Sequence, residues 1–311
     1  MRVIPALIVS VSLSLIAAPA LAQTSSQNSR PPALSAEAVL LLDTQGRVVF
    51  AKNAAESHAP ASLVKLMTLY LACEALDAGR AQWEDPVLVS HRAALTPRYR
   101  MGLKTGETAP LRTLLEGVAI ASANDAATAV AEHLGGTEEA FVAAMNAKAE
   151  ELGLTRTHFA NAHGLPDPAQ RSTAEDLARL TQRLLEDYPS SRPLLGGATF
   201  VYRGRVYSRR IPLFKDPGGV QALKTGFTRE AGYNLAISAW KSEQHFVLIV
   251  LGSQTRSLSF RDAKTVLRYG FYETGLEVAP PPAAPAVKRK APVPPRRPGE
   301  RRPRAGLPGA G

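Results

Sequence analysis

Strand patterns lie toward both ends of this chain, and helical patterns occupy the region between them. Residues 37–53, EAVLLLDTQGRVVFAKN, place two apolar runs around a turn that ends at Gly46, which predicts a β-hairpin. Further β-rich runs cover residues 199–214, 232–240 and 245–253. Since strands must pair, we expect an α+β fold in which both groups share one antiparallel sheet, flanked by helices and interrupted by an inserted helical lobe.

Helices are predicted wherever apolar residues recur at three-to-four spacing. Pro60 precedes a helix from Ser62 to about Leu76, and a Ser/Thr cap with acids in the first turn opens another helix near Thr173. Gly153 is the expected C-terminal cap of the helix predicted over residues 138–153. The remaining helical patterns cover residues 111–122, 124–134, 138–153, 172–188 and 259–275.

The N-terminal residues have the pattern of a signal peptide. Arg2 is followed by an apolar run, and Ala20-Leu21-Ala22 forms a small-x-small cleavage site. The alternative is an uncleaved membrane anchor. We predict a signal peptide over residues 1–22, a flexible leader over 23–33 and an exported mature protein without a transmembrane helix, since no other stretch has roughly 20 apolar residues.

The net charge of +10 lies mostly in the C-terminal segment. From Ala279 onward there are eight basic residues and one acid, among Pro, Ala and Gly. Such a composition predicts a disordered basic tail over residues 278–311 and a folded domain over 34–277. The tail has three interpretations: an inert extension, a ligand for a Pro-recognising partner, or a contact with anionic lipid or acidic envelope polymers, which we favour.

Nucleic acid is not an expected partner of an exported chain. The single cysteine, Cys73, lies in an apolar helix, so we expect a buried and inert thiol.

Ser62 and Lys65 form the first candidate catalytic pair. Three residues apart on a helix, they share one face. A lysine whose pKa is lowered by burial can take the proton of a serine hydroxyl. The alternative is a helix cap followed by a surface lysine. The apolar helix that follows would half-bury Lys65, which favours the catalytic interpretation.

Two further short motifs add candidates. Ser122 and Asn124 lie between two helical patterns. Ser122 could relay a proton and Asn124 could hydrogen-bond a substrate amide, or one of them could simply cap the next helix. The tetrapeptide Leu-Lys-Thr-Gly occurs twice, at residues 103–106 and 223–226. The first copy lies in a polar, turn-like context. The second precedes a strand, where Lys224, Thr225 and Gly226 would face a cleft.

Taken in order, Ser-x-x-Lys, Ser-x-Asn and Lys-Thr-Gly resemble the signature of penicillin-interacting serine enzymes. The chain is similar to the low-molecular-mass penicillin-binding proteins that act as D-alanyl-D-alanine carboxypeptidases. Only the second Lys-Thr-Gly copy follows Ser-x-Asn, so the first is a look-alike. The resemblance spans about residues 36–275 and implies a β-lactamase-like fold. Its most similar stretches are residues 59–68, 121–127, 161–178 and 223–239.

The resemblance implies a role for each candidate residue. Ser62 would be the nucleophile, Lys65 its base, and Ser122 with Lys224 a proton shuttle. Asn124 would bind a substrate amide, Lys224 and Thr225 would bind the terminal carboxylate, and Gly226 would let the substrate lie close to the main chain. The backbone N–H groups of Ser62 and Phe227 would receive the oxyanion. Arg256 would bind the carboxylate or be a solvated loop arginine. His163 is expected to be structural. No metal-ligand spacing is present, so no cofactor is expected.

The implied function is a periplasmic or envelope enzyme that trims D-alanine from peptidoglycan stem pentapeptides, with β-lactams as covalent inhibitors and a role in cell wall biogenesis. The alternatives are a D,D-endopeptidase that cuts cross-links and, more distantly, a non-catalytic wall-binding module. Two departures from the family bear on this. Phe227 replaces a histidine common in carboxypeptidases, and the second β-rich domain and amphipathic C-terminal helix of many members are not seen here.

Overall fold

Strands from both ends of the chain meet in one sheet. The computed structural model describes residues 31–215 and 219–277. Its strands are β1 (Ala38–Leu42), β2 (Val48–Lys52), β3 (Pro86–Leu88), β4 (Thr108–Pro110), β5 (Thr199–Tyr202), β6 (Arg205–Ser208), β7 (Val220–Thr228), β8 (Gly232–Lys241) and β9 (Gln244–Ser253). Within the described ranges, five of them form an antiparallel sheet in the order β2-β1-β9-β8-β7. This confirms the predicted α+β fold, but residues 199–214 do not join this sheet: β5 and β6 pair with each other in a separate antiparallel hairpin.

The sheet is buried on both faces because helices cover each of them. The helices are α1 (Lys65–Asp77), α2 (His91–Leu95), α3 (Leu111–Glu116), α4 (Asn124–Gly135), α5 (Glu138–Glu151), α6 (Ala174–Asp187), α7 (Ser191–Gly196) and α8 (Arg256–Glu273). Side chains of the sheet alternate between two cores. Leu40 and Ile249 pack with the helical lobe, whereas Val39 and Val250 pack with α8.

Local sequence signals set the helix boundaries. The Thr173 hydroxyl accepts a hydrogen bond from the Asp176 N–H at 3.1 Å, and so caps the start of α6 as predicted. Gly153 follows the end of α5 with φ +69°, a conformation that suits glycine. Cys73 is buried in α1, and burial raises the pKa of its thiol to about 12.

Two predicted helices depart from regular α geometry near the candidate site. The helix expected from Ser62 begins as a 3-10 turn, Ala61–Val64, and Ala61 has a left-handed φ of +49°. The segment expected to be helical over 111–122 is α3 followed by a π-helical turn, Gly117–Ala121, which ends at Ser122 in the left-handed conformation. Left-handed backbone is unfavourable for residues with a Cβ, so Ser62 follows a strained residue and Ser122 is itself strained.

The predicted signal peptide, most of the leader and the basic tail lie outside the described residues. The Leu103–Gly106 copy of the repeated tetrapeptide lies between α2 and β4, where Leu103 is buried and Lys104-Thr105-Gly106 is exposed, with Gly106 at φ +80°. None of the helices in residues 31–215 and 219–277 combines the length and apolar character needed to cross a bilayer.

The loop over residues 161–165 packs directly on the turn that carries Ser62. Gly164 has φ +86°, and a Cβ at this position would lie 2.1 Å from the Ala61 carbonyl oxygen and 2.9 Å from the Ser62 Cα. Only glycine allows this approach, because both the backbone angle and the available space exclude a side chain.

We therefore expect Gly164→Ala to lower the free energy of unfolding by about 3 kcal/mol, from left-handed strain and overpacking together. Gly136→Ala is the matched control. Gly136 has φ +76°, and a Cβ at this position would meet no atom within 4 Å, so strain alone should cost about 1 kcal/mol. Urea denaturation of the two variants measures the difference. Equal losses would contradict the packing argument.

Candidate active site

The Ser62 hydroxyl and the Lys65 amine lie within hydrogen-bond distance. Lys65 Nζ is 3.2 Å from Ser62 Oγ, at the point where the 3-10 turn passes into α1. Lys65 is fully buried and Ser62 is half-buried at the cleft. The predicted pair therefore exists, and the lysine is more deeply buried than the sequence suggested.

Three oxygen atoms surround the Lys65 amine. Besides Ser62 Oγ, Nζ contacts Asn124 Oδ1 at 2.6 Å and the His163 carbonyl oxygen. A neutral amine has two hydrogens and one lone pair. Because the amide and carbonyl oxygens can only accept, they take the two hydrogens and leave the lone pair directed at the Ser62 hydroxyl. The arrangement thus suits Lys65 as a base toward Ser62.

Burial also favours the neutral form of Lys65. It lowers the pKa of this amine to about 7, although the negative charge of Asp125 opposes the shift. A substantial fraction of Lys65 is therefore able to accept a proton near neutral pH.

A second lysine and serine face the first pair across the cleft. Lys224 Nζ lies 2.9 Å from Ser122 Oγ and 2.8 Å from the Thr225 carbonyl oxygen. Lys224 is also fully buried. Desolvation lowers its pKa well below the ordinary value, and the positive charges of Lys65 and Arg209 add to this effect. Ser122 and Lys224 can therefore exchange a proton directly.

Asn124 supports Lys65 in this structure. Its Oδ1 accepts from the Lys65 amine, while Nδ2 donates to the carbonyl oxygens of Pro97 at 2.9 Å and Arg98 at 2.7 Å. Both amide hydrogens are thus engaged. A substrate carbonyl could therefore bind Nδ2 only if one of these two bonds opened, whereas a substrate N–H could donate to the second lone pair of Oδ1.

Asp125 is a supporting residue that the sequence did not reveal. Its buried carboxylate accepts hydrogen bonds from the backbone N–H groups of Met101, Gly102 and Leu103 at 2.8 to 3.0 Å. These bonds fix the loop over residues 97–103 at the start of α4. The Asp125 carboxylate therefore positions its neighbour Asn124 against this loop.

Strand β7 carries the Lys-Thr-Gly triplet along the open edge of the sheet. Gly226 approaches the nucleophile turn closely, since a Cβ here would lie 3.1 Å from both the Pro60 carbonyl oxygen and the Ser62 nitrogen. Phe227 follows, with its ring 42% exposed and 4.3 Å from the ring of Tyr233. An edge strand offers unpaired backbone groups, to which an extended peptide can add.

Asn234 is a second support that sequence reasoning missed. Its Nδ2 donates to the carbonyl oxygens of Ala59 at 3.0 Å and Pro60 at 3.2 Å, and its Oδ1 accepts from the Gly252 N–H at 2.9 Å. This buried amide joins the segment before Ser62 to the central strands. No spacing rule points to it, because its partners are all backbone atoms.

His163 contributes its backbone to the site. The carbonyl oxygen accepts from Lys65, while Nδ1 accepts from the Leu165 N–H at 3.2 Å and Nε2 faces Glu138 Oε1 at 3.4 Å. Burial and the charge of Lys65 lower the pKa of its imidazole to about 3, so the ring is neutral at physiological pH. This agrees with the structural role expected for His163.

A cavity of about 420 Å³ lies above these groups. Ser62, Ser122 and Thr225 open into it, and Arg256 lies in its wall at the start of α8. The Arg256 guanidinium donates to the Arg210 carbonyl oxygen at 2.8 Å. In the described residues, no group of three or more His, Cys, Asp or Glu side chains is placed to hold a metal ion.

Comparison with known proteins gives a consistent result. The family model for D-alanyl-D-alanine carboxypeptidase, Peptidase_S11, matches residues 24–255. The carboxypeptidase DacC of Escherichia coli is 36% identical over 264 residues, which are 82% of this chain and 66% of that protein. A D-alanyl-D-alanine endopeptidase of Pseudomonas aeruginosa is 30% identical over 262 residues, which are 82% of each protein. The chain thus spans just under two thirds of the length of the Escherichia coli protein.

Solved structures show the same fold. Penicillin-binding protein 5 of Haemophilus influenzae superposes with a TM-score of 0.76 at 32% identity, covering 78% of this chain and 72% of that one. Penicillin-binding protein D2 of Listeria monocytogenes, in its ampicillin-bound form, superposes with a TM-score of 0.68 at 30% identity, covering 78% of this chain and all of that one.

The pKa of Lys65 sets an expected pH dependence. Because the neutral amine is the base, the rate at which a fluorophosphonate probe labels Ser62 should rise about tenfold per pH unit below pH 7 and level off above it. The rate is measured by stopping the reaction at set times and determining the labelled fraction of the protein by intact-protein mass spectrometry. Lys65→Ala should be slower by about 10²–10⁴-fold, and Lys65→Arg should not restore it. An unchanged pH profile in Lys65→Ala would exclude Lys65 as the base.

Proposed function

The chain belongs to the D-alanyl-D-alanine carboxypeptidase family, and on this basis we propose that it removes the terminal D-alanine from peptidoglycan stem pentapeptides through a serine acyl-enzyme. The observation that carries the proposal is the contact of the buried Lys65 amine with Ser62 Oγ, facing the Lys224–Ser122 pair. The proposal also includes a role in cell wall biogenesis.

Acylation begins when the Ser62 oxygen attacks the carbonyl carbon between the two D-alanines. Neutral Lys65 takes the hydroxyl proton. Asn124 Oδ1 and the His163 carbonyl oxygen accept the two hydrogens of its amine and so direct its lone pair at Ser62. The new oxyanion is received by the backbone N–H groups of Ser62 and Phe227. Such donors contribute about 2.7–4 kcal/mol each in comparable hydrolases.

The departing amine needs a proton, which Ser122 delivers from Lys224 across their 2.9 Å contact. Cleavage of the C–N bond then releases D-alanine and leaves an ester on Ser62. Water then attacks this ester and gives a proton through Ser122 to Lys224, which is now neutral. Lys65 returns its proton to the Ser62 oxygen as the stem tetrapeptide is released, so both lysines regain their starting protonation. A lowered pKa makes Lys224 a ready proton donor when it is charged.

The substrate lies along β7 as an added strand. Thr225 and Lys224 bind its terminal carboxylate together with Arg256, while Gly226 leaves room for its backbone beside Ser62. Asn124 binds the substrate amide, either through Oδ1 or through Nδ2 once one of its carbonyl contacts opens. Penicillins mimic the terminal dipeptide, so we expect them to acylate Ser62 and to leave slowly, in keeping with the ampicillin-bound relative.

Export and domain boundaries form part of the same proposal. Residues 1–22 act as a signal peptide and 23–33 as a leader, so that the catalytic domain over 34–277 reaches the periplasm or cell envelope. The basic segment over 278–311 contacts anionic envelope polymers or lipid, an attraction that high salt should abolish.

A D,D-endopeptidase is the second candidate. It is supported by the Pseudomonas aeruginosa endopeptidase, which this chain matches over 82% of both lengths, and by Phe227 in place of a histidine common in carboxypeptidases. The same residues would cut a cross-link, with the neighbouring stem as the leaving group.

Product analysis by mass spectrometry separates the two activities. The purified chain from Gln23 onward is given pentapeptide muropeptides and cross-linked dimers in parallel. We expect release of one D-alanine from the pentapeptide, and Ser62→Ala should lose this activity together with covalent penicillin binding. Ser257→Ala, an exposed serine of α8, is the matched control that should retain it.

Each outcome has a definite meaning. Conversion of dimers to monomers with intact pentapeptides would move the protein to the endopeptidases. Covalent penicillin binding by Ser62→Ala would contradict Ser62 as the nucleophile. Penicillin binding without turnover of either substrate would mean that the natural substrate is another one.

A further inference from the structure

Five arginines line the active-site cavity, and none of its described lining residues is acidic. They come from three separate parts of the chain, and in residues 31–215 and 219–277 none of them forms an ion pair with a carboxylate. The five are Arg100, Arg205, Arg209, Arg210 and Arg256. A cleft walled by one sign of charge focuses its field and attracts ligands of the opposite sign.

Three of these arginines donate hydrogen bonds to backbone carbonyl oxygens. The Arg209 guanidinium is largely buried and donates to the carbonyl oxygens of Leu195, Gly197, Ala119 and Leu223. Arg100 donates to the Ala94 carbonyl oxygen at 3.0 Å, and Arg256 donates to the Arg210 carbonyl oxygen at 2.8 Å. The positive charge of each remains, but part of its hydrogen-bonding capacity is used.

Arg205 and Arg210 are different. Both side chains are exposed to the cavity, and within the described residues neither guanidinium has a hydrogen-bond acceptor. Arg205 lies over the ring of Tyr207, with its Cζ 4.8 Å from the ring centroid. Tyr207 in turn donates to the Met101 carbonyl oxygen, which fixes the β5–β6 hairpin against the loop beside Asn124.

Glu107, an acidic residue bonded to the β5–β6 hairpin, already has partners there. Glu107 accepts from the Tyr202 hydroxyl at 2.7 Å and pairs with Arg203, and it does not line the cavity. Arg203 is therefore the neutralised arginine of the hairpin, whereas Arg205 and Arg210 face the cavity with free donors.

We propose that Arg205 and Arg210 form a subsite for a second carboxylate, carried by the leaving group of the substrate. The inference rests on the proposed function, in which Arg256 and Thr225 bind the carboxylate of the leaving residue. Because Arg256 is hydrogen-bonded to the Arg210 backbone, Arg210 lies on that same side of the scissile bond. Planar guanidinium groups with free N–H pairs suit bidentate carboxylate binding.

The volume of the cavity agrees with this assignment. About 420 Å³ is in the range of pockets that hold drug-sized ligands, which is more than a single alanine fills. The predicted substrate is therefore a peptide whose leaving group carries a second acidic group. This leaving group is either a single amino acid or a neighbouring stem peptide.

The test compares leaving residues that differ only in charge. Three diacetyl-lysyl-D-alanyl peptides end in D-alanine, D-glutamate or D-glutamine, and kcat/KM is measured for each at low salt. We expect the D-glutamate peptide to be favoured over the D-glutamine peptide about fivefold, the upper value for an exposed ion pair. The preference should shrink at high salt.

Variants assign the effect to the subsite. The measured quantity is the ratio of kcat/KM for the D-glutamate peptide to kcat/KM for the D-glutamine peptide. Arg205→Gln and Arg210→Gln together should bring this ratio close to one, and Arg210→Lys should keep part of the preference. Arg203→Gln is the matched control, because it removes a charge from the same hairpin outside the cavity and should retain the full ratio.

Three results would overturn the subsite. The first is an equal kcat/KM for the D-glutamate and D-glutamine peptides in the unaltered protein. The second is a preference for D-glutamate that survives in the double variant. The third is a loss of this preference in Arg203→Gln as large as in the double variant. Hydrolysis of the D-alanine peptide alone would also overturn it, while leaving the proposed function intact. No hydrolysis of any peptide would overturn the proposed function and the subsite with it.

Cross-linked dimers identify the source of the second carboxylate. Dimers whose leaving stem carries a free carboxylate should be cut faster than amidated ones, and the double variant should lose this difference. Faster cutting of amidated dimers would contradict the proposal.

Discussion

The Lys65 amine joins three distant segments of the chain at one point. It contacts a hydroxyl on its own helical turn, the Asn124 amide at the start of α4 and the backbone of His163. Burying such a group without partners would cost several kcal/mol, so the fold must deliver these acceptors together. Asp125, Asn234 and Gly164 serve this requirement, since each fixes the backbone of one of these segments.

The sequence predicted the parts of the site that are carried by side chains in fixed spacing. Ser62 with Lys65 and Ser122 with Lys224 are brought together as expected, on a sheet formed from both ends of the chain. It did not predict the acceptor at His163 or the partners of Asn234, because a backbone carbonyl has no residue type to recognise. The 3-10 turn at Ala61–Val64 and the π-helical turn before Ser122 were also missed, since tertiary packing overrides local helical periodicity there.

The arginines of the cavity show a further limit of sequence reading. Arg100, Arg205 and Arg256 are far apart in the chain, and each alone resembles an ordinary surface residue. Together with Arg209 and Arg210 they line the cleft beside Lys224, whose pKa is lowered by burial and, to a lesser degree, by the positive charges of Lys65 and Arg209. A bound carboxylate adds a negative charge beside Lys224 and therefore raises that pKa, which favours a protonated Lys224 when the substrate is present.

The position of β1 in the sheet has a consequence for how the protein is made. Val39 pairs with Val250, so this strand must find a partner roughly 210 residues further along the chain. At ordinary rates of synthesis those residues take about 10–40 s to appear, and during this time the apolar β1 has no native neighbour on that side. Contacts of such long range fold slowly, because the chain entropy is lost before the pairing energy is gained. The central sheet therefore cannot be completed until the residues of β9 have been synthesised.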